Sequence, residues 1–379
     1  MNILNTDRYL HVVAFDIPWP ANYGGAIDVF YKIKSLHQAG CKIILHAFQY
    51  GGRKPTPELE KYCDQVYYYP RKGFLNLFTP TPYIVATRRS DELFTRLLQD
   101  DYPILYEGIH TTYYLSHRAL KGRRQFVRMH NIEHEYYQAL SENEKKFFYK
   151  FYLKIESKKL KFYEQILKEA SGIIAISPKD AQYYLHFNSN VLTATAFHPF
   201  DDVEILTQTS EPFALYHGSL DVSENSAAAA FLVEEVFSQL PYTLIIAGNK
   251  PPAFLEKLVK KHSHIFLITG LRQEEFEDLI ARAHINILPT FQATGIKLKL
   301  LYALYRGKHI LVNSPMVEET GLEELCHIAD SPQVMREKVH MLFQKPFTDD
   351  ELLIRKEKLL QKGFDNQTKA KKIIEFLFQ

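Results

Sequence analysis

At 379 residues the chain is too long for a single hydrophobic core, so its length predicts two domains. A composition that is 46% hydrophobic and 24% charged excludes a disordered or fibrous chain. A formal net charge of +2 gives the whole chain no electrostatic case for nucleic acid. The first predicted element is a strand at 11–15, a short apolar run, followed by a Pro- and Gly-rich loop at 18–25. The recurrence of Ile27, Phe30, Ile33 and Leu36 predicts a helix over 26–39, ended by Gly40, and 42–48 returns as a strand. Further strands are expected at 65–69, 104–106, 125–129 and 172–176, with one long helix over 142–170. In the second half, strands at 213–216, 242–247, 265–269, 285–288 and 310–312 alternate with helices at 226–237, 254–261, 274–283 and 297–305. Such alternation predicts an α/β protein with parallel sheets and right-handed crossovers. The expected architecture is two Rossmann-like domains facing each other across a cleft in which ligands bind. The polar, acidic stretch at 200–212 reads as the linker. Domain limits are therefore set at 1–200 and 201–348, with a helical segment at 349–379 long enough to return to the first domain.

Three cysteines, Cys41, Cys63 and Cys326, are far apart and show no CxxC or zinc spacing, the usage expected of reduced thiols in a cytoplasmic protein. Residues 1–16 lack a basic stretch followed by an apolar core, so no signal peptide is expected. No run approaches eighteen apolar residues, which argues against a spanning helix. The expectation is a cytoplasmic protein, soluble or peripheral at the inner face of the membrane.

Four junctions between these elements share a pattern. Pro18, Trp19, Pro20, Ala21, Asn22, Tyr23, Gly24 and Gly25 precede the first helix. His217, Gly218, Ser219, Leu220 and Asp221, with Asn225, follow the linker. Leu288 and Pro289 are followed by Thr294, Gly295, Ile296, Lys297, Leu298 and Lys299. Glu319, Thr320, Gly321 and Leu322 come after the next strand. In this order and spacing the chain resembles the family-4 retaining glycosyltransferases of GT-B fold, over nearly its whole length and most closely over 214–322. The resemblance implies transfer of a hexose, with retention, from a nucleotide diphosphate sugar donor to a glycan or lipid-linked acceptor. It also implies that the first domain holds the acceptor, the second holds the nucleotide, and neither a metal nor a cofactor is bound. His130 and Lys299 become the catalytic candidates. Gly24, Gly25, Gly218, Ser219, Gly295, Lys297 and Glu319 become the donor- and diphosphate-binding candidates.

Elementary chemistry gives these positions a reason. Gly24 and Gly25 lie between a strand and a helix N-terminus, where exposed amides and about half a positive charge suit an anion. A tight βα turn needs the same residues. Gly218 and Ser219 allow a diphosphate to pack against backbone amides. The arginine and lysine common in this loop are replaced here by Ser219 and Asn225, so cationic work passes to Lys297 or Lys299. These two lie two apart on a helix and do not share a face. Lys299 matches the lysine usual in this branch, and a cation there stabilises a leaving diphosphate. His130 follows a strand and suits either a hydroxyl-orienting or a structural role. A metal reading of His130, Glu133 and His134 has helical spacing but no further anchoring cluster. Ser177 with Asp180 reads as a helix N-cap.

The chain departs from the family at its paired glutamates, where Thr294 and Tyr302 stand. That departure motivates an alternative, a catalytically degenerate GT-B protein acting as a binding or partner subunit. An epimerase on the same fold lacks a convincing acid and base set. Residues 141–170 hold eight lysines and five glutamates beside Phe147, Phe148, Tyr149, Phe151 and Tyr152. Such a face suits either an anionic lipid surface or a docked, solvated helix. The aromatic segment at 74–78 is a second candidate for membrane contact.

Overall fold

The computed structural model describes residues 8–73, 79–144, 146–205, 211–291, 298–318 and 320–379. Thr294, Gly295, Lys297 and Glu319, and the aromatic segment at 74–78, lie outside these residues. The chain divides into two compact units: residues up to Pro199 together with Gly363–Gln379, and the residues between Phe200 and Lys362.

The first unit carries a seven-stranded, all-parallel sheet in the order β3-β2-β1-β4-β5-β6-β7. Its strands are β1 (Arg8–Ala14), β2 (Cys41–Gln49), β3 (Gln65–Pro70), β4 (Ile104–Glu107), β5 (Gln125–Met129), β6 (Gly172–Ala175) and β7 (Val191–Thr193). Strands covered on both faces tend to be dominated by apolar residues. In β1, Leu10, Val12, Val13 and Ala14 are all buried, and Val12 lies in register with Leu45 on one side and Leu105 on the other. Helix α1 (Gly24–Gln38) buries Val29, Phe30, Ile33 and Leu36 against this sheet and ends before Gly40, whose φ of +90° favours glycine. The last helix, Asn366–Phe378, adds Ala370, Ile373, Ile374 and Leu377 to the same core. The helical segment expected at 349–379 therefore divides at Gly363, its first part, Asp349–Gln361, belonging to the second unit. Cys41 and Cys63 are free and buried here, which pushes their thiols up to about 11 and about 12.

Most of the helix expected over 142–170 is present, as an α-helix over 147–163 continued by a 3-10 turn over 164–169, but 142 and 143 belong to a separate preceding helix that pairs with it as a hairpin. Helix α2 (Glu133–Asn143) stops where Glu144 and Lys146 turn extended, with ψ of 128° and 112°, and the Glu144 carboxylate accepts the Lys146 amide at 2.7 Å. Helix α3 (Phe147–Tyr163) then folds back, and the Ser157 hydroxyl donates to the α2 carbonyl of His134 at 2.7 Å. Glutamate and lysine favour helix throughout this stretch, so propensity alone does not reveal the break. The Ser177 hydroxyl accepts the Asp180 amide at 3.1 Å, capping the helix Pro178–Tyr184.

The second unit carries six parallel strands in the order β10-β9-β8-β11-β12-β13. They are β8 (Ala214–His217), β9 (Leu244–Ala247), β10 (Ile265–Ile268), β11 (Ile285–Ile287), β12 (His309–Val312) and β13 (His327–Ile328). Helices α4 (Ser223–Phe231) and α5 (Leu298–Arg306) follow β8 and β11. On α5, Leu298, Leu300, Leu301, Leu304 and Tyr305 are buried, leaving Lys299 half-exposed in the first turn.

Candidate active site

Both sheets reverse their strand order beside their first strand. β1 pairs with β2 and β4, and β8 pairs with β9 and β11. Loops leaving the carboxyl ends of such neighbours run to opposite sides and open a crevice, which is where open α/β sheets bind ligands. In the first unit those loops follow β1 and β4; in the second they follow β8 and β11.

The loop after β1 is held from below by Arg53. Its Nη1 donates to the carbonyls of Ile17 at 3.0 Å and Pro20 at 2.7 Å, and its Nε lies 3.3 Å from Asp16. Asp16 also accepts the Tyr23 hydroxyl at 2.9 Å, and burial raises its carboxyl above the ordinary range. Gly24 and Gly25 open α1. A Cβ on Gly25 would sit 2.8 Å from Phe15 Cζ. The Phe15 ring cannot easily yield, since it packs 5.3 Å from both His110 and His130. Gly25→Ala is therefore expected to lower stability by about 1–3 kcal/mol, as overpacking does, read from a denaturation midpoint. An unchanged midpoint would mean that the ring moves freely.

Beneath this loop lies a network of buried charge. Asp28, Lys32, Glu107 and Arg128 are fully buried, and His130 nearly so. Asp28 accepts Arg128 at 3.0 Å, Lys32 at 3.4 Å and the Phe197 amide at 2.7 Å. Glu107 accepts Lys32 at 2.6 Å and meets His130 Nε2 at 3.0 Å. Burial alone would raise the Asp28 carboxyl, yet Arg128, Lys32 and His130 hold it well below the usual carboxylate range. Burial is likewise outweighed at Glu107, chiefly by Lys32 and then by His130, and its carboxyl is lowered. One ligand atom from each of Asp28, Glu107 and His130 would lie within 4.8 Å of the others, close enough to surround an ion. The two carboxylates are also paired with two buried cations, Lys32 and Arg128. The three residues weighed for metal from sequence are drawn apart, because His134 Nδ1 turns to Glu164 at 3.0 Å. His130 is thus positioned by Glu107, with Nδ1 lacking a hydrogen-bond partner among the described residues.

In the second unit, Gly218 and Ser219 form the turn from β8 into α4. The approach is close: a Cβ on Gly218 would lie 3.1 Å from Asn225 Cγ. Asn225 Nδ2 donates to the Ser219 carbonyl at 3.0 Å, and its Oδ1 accepts Lys299 Nζ at 2.8 Å. Lys299 also lies 5.6 Å from the centre of the Tyr216 ring. The structure therefore brings Gly218, Ser219, Asn225 and Lys299 together at the reversal point. His217 beside them is held neutral, pushed down to about 3 by burial and then by Lys299. Tyr302 is buried against Phe200 at 4.7 Å, and its hydroxyl accepts Gln273 Nε2 at 3.3 Å.

Sequence reasoning missed two groups. Glu224 hydrogen-bonds the Thr290 hydroxyl, and Asn313 brackets the Thr290 backbone, accepting its amide at 2.9 Å and donating to its carbonyl at 2.7 Å. Both Thr290 and Asn313 come just after apolar strands, which was the available signal. Asp28, Glu107 and Arg128 were missed as well.

No family model matches the chain. An uncharacterized 44.6 kDa protein in the cps region of Klebsiella pneumoniae is 25% identical over 331 residues, spanning 82% of this chain and 84% of that protein. Among solved structures, TarM superposes with a TM-score of 0.69 at 8% identity, covering 99% of both chains. A glycosyltransferase from Rickettsia africae ESF-5 gives 0.64 at 12% identity, covering 98% of each. A UDP-forming α,α-trehalose-phosphate synthase from Burkholderia xenovorans gives 0.63 at 12% identity, covering 98% of this chain and all 100% of that one. The fold is GT-B. Within the GT-B fold the two polar clusters described above each stand at the strand-order reversal of their own sheet.

Proposed function

We propose that this protein is a glycosyltransferase that moves a hexose from a nucleotide diphosphate sugar to a hydroxyl of a glycan or lipid-linked acceptor, with retention of anomeric configuration. The observation that carries the reading is Lys299, held by Asn225 against the glycine turn after β8. A fixed cation beside a loop of small residues suits a diphosphate. In the reaction the bond from the anomeric carbon to the diphosphate oxygen breaks and the acceptor oxygen bonds to that carbon. The hydroxyl proton passes to the departing diphosphate. Lys299 acts on the charge that grows on the leaving group, where such stabilisation is worth most. Gly218 and Ser219 offer small backbone surroundings for the diphosphate. His130, oriented by Glu107, and the turn at Gly24 and Gly25 would serve the sugar or the acceptor. No cofactor enters this scheme, and a metal is not required by it.

The test is incubation with labelled nucleotide sugars and a cell-extract acceptor, beside calorimetry with nucleoside diphosphates. Transfer supports the reading, and no transfer from any donor counts against it. A second reading, a binding or partner subunit without catalysis, is favoured by the engagement of Tyr302 with Gln273 at a glutamate position of the resembling family. Nucleoside diphosphate binding without transfer would select it.

A peripheral contact with an anionic lipid surface belongs to the same proposal. No helix among the described residues is long and apolar enough to cross a membrane. On α3, Phe147, Phe148 and Phe162 are 75%, 87% and 85% exposed. With Phe151 and Ile155 they fall within one arc of about 100°, opposite the buried Leu153 and Leu160. The exposed Lys154, Lys158 and Lys161 lie in or beside that arc. Apolar rings bordered by lysines suit the headgroup region of a negative membrane. Phe148→Glu with Phe162→Glu is expected to reduce co-sedimentation with phosphatidylglycerol vesicles at least roughly tenfold. Wild-type protein that ignores such vesicles would remove the membrane contact.

A further inference from the structure

A pocket of about 620 Å³ opens in the first unit where β2 and β3 end. Its side-chain wall is formed by Tyr50, Arg53, Lys54, Arg71, Lys72 and Tyr83, four of them cationic, and no acidic residue lines it. Arg53 is matched by Asp16 at 3.3 Å. Among the described residues Lys54, Arg71 and Lys72 have no carboxylate within ion-pair distance. Three positive charges are therefore concentrated in one hollow of a chain whose net charge is only +2.

Arg71 is held in a fixed orientation without a carboxylate. Its Nε donates to the Thr87 hydroxyl at 2.8 Å, and its guanidinium lies 4.4 Å from the centre of the Tyr50 ring and 5.3 Å from that of Tyr83. Aromatic faces orient a guanidinium without satisfying its hydrogen bonds. Its two terminal nitrogens keep no acceptor among the described residues, so a forked donor pair stands ready for an oxyanion. Gln49 and three glycines complete the lining. Gly51 and Gly52 adopt φ of +62° and +78°, and nothing lies within 4 Å of a Cβ built at either. Arg53 joins this pocket to the loop after β1, since the same guanidinium donates to Ile17 and Pro20.

We propose that this pocket receives an anionic group, phosphate or carboxylate, carried by the sugar acceptor. This rests on the transferase reading and narrows its acceptor to a phosphorylated or acidic glycan. Arg71 would grip two oxygens as a fork, and Lys54 and Lys72 would supply charge from the rim. A neutral sugar gains nothing from such a wall.

The experiment titrates a hexose 6-phosphate, a hexuronate and a neutral hexose into the full chain by calorimetry. It is repeated with Arg71→Ala, Arg71→Lys and the pair Lys54→Ala, Lys72→Ala. At least one anionic sugar is expected to bind roughly tenfold or more tighter than the neutral hexose, the scale of one charged hydrogen bond. Arg71→Ala should remove that preference, and Arg71→Lys, which keeps charge but loses the fork, should keep only part of it. Preference for the phosphate arm assigns a phosphorylated acceptor, and preference for the carboxylate arm an acidic one. Equal binding of all three sugars, or a preference unchanged in both Arg71→Ala and the lysine pair, overturns the proposal. Nucleoside diphosphate is titrated into the same samples. Retained diphosphate binding beside absent anion preference removes the pocket assignment alone; loss of both in the wild type removes the transferase reading too.

Discussion

Lys299→Ala is expected to lower turnover by about 10²–10³, the loss seen when one fixed donor to a developing charge is removed. The reason lies in how Lys299 is held. Its ammonium is fixed by Asn225 at 2.8 Å and by the Tyr216 ring at 5.6 Å, so little side-chain freedom remains to be frozen during the reaction. A group already in position stabilises the departing diphosphate without reorganising. The deficit should fall mainly on kcat, because the charge on the leaving oxygen grows only as the sugar departs. Nucleoside diphosphate affinity should fall as well, since the free product carries that charge in full. Lys299→Arg retains the charge at a longer reach and should recover part of the rate. Asn225→Ala supplies the control: Lys299 stays but loses its hydrogen bond to Asn225, and an intermediate deficit is expected. A Lys299→Ala enzyme turning over within a few-fold of wild type would remove the leaving-group role from this lysine.

Much of the fold follows from local pattern alone. Strands such as β1, β2 and β8 are short runs dominated by buried apolar residues, as strands covered on both faces tend to be, and Gly40 marks the end of α1 unaided. β7 and β13 escape notice because Val191–Thr193 and His327–Ile328 are short and only half-buried, leaving no periodic signal. The break between α2 and α3 is a tertiary effect: Ser157 bonding to His134 matters more there than the helix-forming lysines around Glu144. The candidate site divides in the same way. Gly25 and Gly218 stand at strand-to-helix junctions and Lys299 in the first turn of α5, places that the local pattern of strand, glycine and helix marks out. Asp28, Glu107 and Arg128 are brought together only by the strand order, from positions far apart in the chain. A weaker clue was present, since a charged residue ending or interrupting a buried apolar strand must find a partner. Glu107 and Arg128 are of that kind, and Asp28 with Lys32 sits one helical turn apart on the inward side of α1.

That buried network gives the largest expected effect on stability. Asp28→Asn keeps the size of the side chain and an acceptor for the Phe197 amide, but removes the charge that balances Arg128 and Lys32. Removing one partner of a buried pair typically loses about 3–5 kcal/mol, because the remaining charge stays out of water without compensation. For a unit of this size each kcal/mol moves the midpoint by roughly 2–4 °C, so unfolding of the first unit should begin about 10 °C lower. The pH dependence has a definite sign. Asp28 is depressed in the folded protein, so its contribution is complete above the ordinary carboxylate range near pH 4 and fades as pH falls below it. Glu107 is lowered too and adds the same slope. The gap between wild type and Asp28→Asn should therefore be widest near neutrality and narrow in acid, measured as denaturant midpoints across that range. His130 gives a second readout, since the network that orients it includes Asp28 at 3.6 Å and Glu107 at 3.0 Å. An Asp28→Asn protein that unfolds at the wild-type midpoint at neutral pH would mean that Arg128 and Lys32 find other anions or water, and His130 would then owe its position to Glu107 alone.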